Sequence, residues 1–117
     1  MKLLIILFFL FMVDEKRHIL LFSNIDGAEI LDRQREELDK HNAGIKERDI
    51  VVKSYISFSE NEDVWHKWKV DKNQPFTFIL VGKDGGEKYR SNKMVSHQEL
   101  FGKIDAMPMR KSEMKNQ

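Results

Sequence analysis

Three short apolar runs, spaced far enough apart for a helix between each pair, constrain this chain more than any other feature. Residues 18–22 are bounded by Ser23 and Asn24 and read as a buried strand. Residues 49–57 hold Ile50, Val51, Val52, Tyr55 and Ile56, the β-branched and aromatic mixture of an interior strand. Residues 76–81 form the third run, and Gly82-Lys83-Asp84-Gly85-Gly86 then supplies the turn of a hairpin whose return strand begins at Glu87.

The intervals carry helical signals. Residues 28–42 are polar with Ile30, Leu31 and Leu38 on one side, which predicts an amphipathic helix ended by Gly44. Ser59 and Glu62 stand at capping-box spacing before Val64, Trp65 and Trp68, predicting a short second helix. Ser96 and Glu99 repeat that spacing before the apolar stripe of Leu100, Phe101, Ile104 and Met107, which Pro108 should end. The residues after Arg110 are expected to fray. The resulting order, β-α-β-α-β-β-α, predicts an α/β fold of thioredoxin-like type with a central mixed sheet flanked by helices.

The chain of 117 residues has room for one such domain. Lys2 and the eleven apolar residues 3–13 resemble a secretory leader and are too short to span a bilayer. The expected division is a leader over residues 1–15, which is a candidate signal peptide, a domain over 16–110 and a polar tail over 111–117. Export follows as the expected localisation, secreted or periplasmic, with a tether if the leader is retained. The 20 basic and 19 acidic residues nearly cancel, so nucleic acid is not an expected partner, and a membrane is one only through an uncleaved leader. The absence of cysteine excludes disulfide exchange, thiolate nucleophiles and zinc–cysteine sites.

Three stretches carry a family resemblance: Phe76-Thr77-Phe78-Ile79-Leu80-Val81 with its Gly82-Lys83-Asp84-Gly85-Gly86 turn, Glu99-Leu100-Phe101, and Ile104-Asp105-Ala106-Met107-Pro108-Met109-Arg110. With the following Glu113-Met114 pair they resemble DUF4174, a domain of unknown function. The stretch Glu47-Arg48-Asp49-Ile50-Val51-Val52 is similar more loosely. The resemblance implies a thioredoxin- or peroxiredoxin-like fold, found in bacterial exported proteins and in animal extracellular-matrix and sushi-repeat proteins. It implies no catalytic residue.

In a thioredoxin-like fold the reactive group sits just after the first strand, here Ser23-Asn24-Ile25-Asp26-Gly27, which reads as a helix cap. His18, His41, His66 and His97 share no H-x-x-x-H or H-x-H spacing, so neither a metal site nor a cofactor is expected. Trp65 and Trp68 stand three apart; burial is their ordinary role, and exposed they would form an aromatic patch for a protein or glycan partner. Lys83, Arg90, Lys93, Arg110, Lys111 and Lys115 are candidates for a basic surface near one end. The residues taken as candidate binding positions are Trp65, Trp68, Lys83, Asp84, Arg90, Asp105 and Arg110, with no catalytic residue among them. The expected function is a redox-inactive, extracytoplasmic binding module. The alternative is a non-thiol enzyme on a peroxiredoxin-like fold, with Asp26 or a histidine as base.

Overall fold

The computed structural model describes residues 15–57 and 62–116. Four strands form one mixed sheet in the order β2-β1-β3-β4: β1 (Arg17–Ser23), β2 (Ile50–Ile56), β3 (Phe76–Val81) and β4 (Glu87–Ser91). β2 runs parallel to β1, with Arg17 opposite Ile50 and Ser23 opposite Ile56, and β3 is antiparallel to β1. The β3–β4 hairpin follows the predicted turn.

β1 and β3 lie between neighbours and are buried on both faces, which explains why they read as unbroken apolar runs. Alternation along β1 sends Ile19 and Leu21 into one core and Leu20 and Phe22 into another. The larger core is closed by the helices α1 (Ala28–Lys40), α2 (Asn42–Glu47) and α4 (His97–Asp105), which contribute Leu31, Leu38, Ile45, Leu100 and Ile104. The smaller is closed by α3 (Glu62–Lys67), where Trp65 packs edge-on to Phe22 at 5.0 Å. Each of these side chains contributes about 1.5–3 kcal/mol by leaving water. Among the described residues no helix is long and apolar enough to cross a membrane. Residues 1–14 of the expected leader and Ser59 lie outside the described residues.

The predicted helix over residues 28–42 is divided. α1 stops at Lys40, His41 leaves helical geometry at φ −117° and ψ 33°, and α2 continues through Gly44. Gly44 therefore does not end the helix. It lets α2 approach α4, because a Cβ there would stand 2.6 Å from the Phe101 ring. The chain turns instead at Asp49, which holds a left-handed φ of 54° immediately before β2.

Two expectations hold around the closing helix, and one is corrected. Ser96 caps α4, its side chain accepting from the Glu99 N–H at 3.2 Å. Pro108 stands just past the end of α4, as expected. It also opens a further helix, α5 (Pro108–Lys115), at a first-turn position where a missing N–H costs nothing. Residues 111–115, expected to fray, are thus helical, and Glu113 is fixed by ion pairs to Arg17 and Lys83.

Candidate functional site

The carboxyl end of β1 leads into a 3-10 turn, Ile25–Gly27, and then into α1. Asn24 organises this turn. Its side-chain oxygen accepts from the Gly27 N–H at 3.1 Å, its amide donates to the Lys72 carbonyl at 3.0 Å, and its backbone N–H donates to the Pro75 carbonyl at 3.1 Å. Ser23 is buried, and its hydroxyl donates to the Asn24 carbonyl at 2.9 Å. The turn is a cap, and the only hydroxyl in it is already engaged. Its exposed feature is Ile25, 73% accessible, beside a hollow of about 320 Å³ formed with Ala28, Leu31 and Ile56. With Asp32 as the one charged side chain in its wall, this hollow can receive an apolar group.

The seven candidate binding residues do not meet at one place. Trp65 is 3% exposed and belongs to the smaller core, while Trp68, half-buried, packs against the same cluster. Arg90 donates to the Trp68 carbonyl and pairs with Glu87. Asp84 accepts from the Gly86 N–H and from Lys88, which makes it part of the hairpin turn.

Lys83, Asp105 and Arg110 join a charged cluster at the amino ends of β1 and β2. Lys83 bridges Asp49 at 2.9 Å and Glu113 at 2.8 Å. Arg110, only 1% exposed, donates to Asp105 at 3.1 Å and to the Glu47 carbonyl and carboxylate at 3.3 and 3.2 Å. Arg48 grips Asp105 through two nitrogens and lies 3.9 Å over the Phe101 ring. With Lys83 and Arg110 tied to acids, they add no basic surface. Burial alone would raise the Glu113 carboxyl, but hydrogen bonds from Arg17 and Lys83 outweigh it and bring it down to about 2. Arg48 and then Arg110 hold Asp105 below the usual carboxylate range against a smaller opposing effect of burial.

Towards the far end of α1 from the Ile25 hollow, a grouping appears that histidine spacing did not anticipate. Glu37, His41 and His97 place one ligand-type atom each within 4.8 Å of one another. The His41 and His97 rings stack with centroids 3.3 Å apart. Glu37 accepts from the His97 backbone N–H at 2.9 Å, and the His97 Nδ1 is 2.8 Å from the same oxygen. The backbone bond is the chief cause holding the Glu37 carboxyl below its ordinary range. The available sequence signal was Glu37-x-x-x-His41, four residues apart on one helix face.

The family model of DUF4174, a domain of unknown function, matches residues 11–113. No curated protein matches the chain. Among solved structures, thioredoxin-2 of the malaria parasite, a component of its protein secretion machinery, superposes with a TM-score of 0.60 at 23% identity, over 79% of this chain and 84% of that one. Reduced 2-Cys peroxiredoxin of Plasmodium vivax gives 0.66 at 13% identity, over 88% and 83%. A secreted disulfide oxidoreductase of Mycobacterium tuberculosis gives 0.50 at 14%, over 81% and 84%. These similarities show a thioredoxin-like fold, here without a cysteine.

Proposed function

The chain belongs to the DUF4174 family, and from that premise we propose that it is a redox-inactive binding module that works outside the cytoplasm and takes a protein partner at the carboxyl end of β1. The observation that carries this reading is Ile25, 73% exposed beside an apolar hollow at the position where thioredoxin-like folds carry their chemistry. Without a thiol, that position retains shape and apolar surface. Burying Ile25 against a partner contributes about 1.5–3 kcal/mol, enough to make it a centre of recognition. Trp65 is not available for this role because it is a core residue. The apolar run over residues 3–13 supports export.

A photoreactive side chain at position 25 of the full chain, expressed in cells, is expected to crosslink one discrete protein, whereas the same group at exposed position 93 is expected to give none. Equal labelling from both positions, or none from position 25, would remove the binding surface from this reading. Export is checked separately with a reporter fused after Ser23. A reporter that stays wholly cytoplasmic would refute it.

A further inference from the structure

Packing of α1 against the start of α4 builds the Glu37–His41–His97 group from two distant parts of the chain. Glu37 and His41 are one helical turn apart, and His97 is the first residue of α4, where its backbone N–H has no intrahelical acceptor and donates to Glu37. The Glu37 oxygen that receives this bond also faces His97 Nδ1 at 2.8 Å, which fixes the His97 ring. His41 lies against that ring, its plane 17° from parallel. Both hydrogen bonds from His97 fall on the same Glu37 oxygen. The group therefore holds two imidazoles and a carboxylate, half-buried and with one ligand-type atom from each within 4.8 Å of the others.

We propose that Glu37, His41 and His97 bind one divalent transition-metal ion of the zinc class. Two ligands on a tetrahedral zinc, each about 2.0 Å from it, stand roughly 3.3 Å apart, so the three ligand-type atoms, already within 4.8 Å of one another, need to draw together by at most about 1.5 Å. The 2.8 Å approach of His97 Nδ1 to Glu37 opens by about half an ångström as the ion enters between them. His97 binds through Nδ1 with its proton held on Nε2, any further proton leaves to solvent, and no oxidant or reductant is required. His41 supplies the third ligand by turning its ring out of the stack so that one nitrogen faces the ion, and water takes the fourth position. Two imidazoles and one carboxylate favour zinc, nickel or copper over magnesium or calcium, which prefer all-oxygen sites. The bound ion would tie the end of α1 to the beginning of α4.

The test is zinc titration of the full chain by calorimetry, with the cobalt-substituted protein followed by its visible absorption. One equivalent of zinc, the intense absorption of tetrahedral cobalt and no response to magnesium are expected. His41→Gln preserves the Glu37–His97 contact and should weaken zinc at least tenfold while abolishing the cobalt band. His97→Gln should do the same, and His66→Gln should change neither. Zinc binding that survives His41→Gln, or an absence of zinc binding at tens of micromolar, overturns the proposal.

Discussion

Arg17 at the head of β1 and Glu113 in the last helix, 96 positions apart, form a two-pronged ion pair, with Nη1–Oε1 at 3.2 Å and Nη2–Oε2 at 3.1 Å. Arg17 is 1% exposed and also donates to the Arg48 carbonyl at 2.8 Å, so α5 supplies the counter-charge for a guanidinium buried at the amino end of a central strand. Because Arg17 is already desolvated, losing the charge of Glu113 would leave a buried guanidinium without its counter-ion, which is what makes breaking such a two-pronged pair costly.

Acid should therefore loosen the fold through Glu113. Its carboxyl lies at about 2 in the folded chain against an ordinary 4.5. Its stabilising contribution is complete above about pH 5 and is lost as pH falls towards 2. At about 1.4 kcal/mol per unit, this amounts to roughly 3 kcal/mol at most. Urea unfolding at pH 7, 4 and 3 should show a steep fall, and Glu113→Gln should be less stable at pH 7 with a flatter dependence on pH. An unchanged slope in that variant would assign the acid sensitivity to other carboxylates.

Gln34 is buried in α1 and reaches the strand-to-helix connection 61 positions away. Its amide donates to the Val95 carbonyl at 2.9 Å and accepts from the Val95 N–H at 2.7 Å. Gln34→Leu keeps the volume but leaves both backbone groups unpaired in the core, for a loss of about 2–4 kcal/mol. Denaturant titration should show the midpoint falling with little change in slope.

Two glycines should respond in opposite directions to alanine. A Cβ at Gly27 would collide with the backbone carbonyl of Pro75, which already accepts from Asn24. Gly27→Ala should cost more than about 2 kcal/mol because neither backbone can yield without breaking the turn. Gly102 lies inside α4 with nothing near its missing Cβ, so Gly102→Ala should stabilise by about 0.5–1 kcal/mol. The pair of melting temperatures, one lowered and one raised, checks both.

These cases show what was legible in the sequence. β1 and β3 announced themselves because burial on both faces requires apolar residues throughout, and Ser96 because a cap acts within four residues. Arg17 gave no such signal. It lies in the charged stretch Asp14-Glu15-Lys16-Arg17, and a buried arginine looks like a solvated one until its partner 96 positions away is in place. The role of Gly44 depends on the approach of Phe101 from another helix. Glu37 and His41 had a readable spacing, but His97 joins them only through the packing of α4. The apolar hollow beside Ile25 likewise depends on Ile56 from the neighbouring strand.

Asp105 and Arg110, the most distinctive pair of the family-like carboxyl segment, provide the last prediction. Arg110 is close enough in sequence to reach Asp105 and the final carbonyls of its own closing helix. It does reach Asp105, but the carbonyl it binds is that of Glu47 at the end of α2. The pair is thus a joint between helices, and its two members are unequal. Arg110→Ala leaves Asp105 still gripped by Arg48, whereas Asp105→Ala deprives two buried or nearly buried guanidiniums of a shared carboxylate. Arg110→Ala should cost about 1–2 kcal/mol and Asp105→Ala about 2–3 kcal/mol, tempered by the partial exposure of the aspartate. The double variant should lose about 1 kcal/mol less than the sum, because both substitutions remove one interaction. Arg110→Lys should recover little, since a single ammonium cannot span Asp105 and Glu47 together. A double-mutant cycle measured by urea unfolding gives all four values. Unchanged melting temperatures with loss of partner capture would instead make these side chains ligand contacts and sink the structural account.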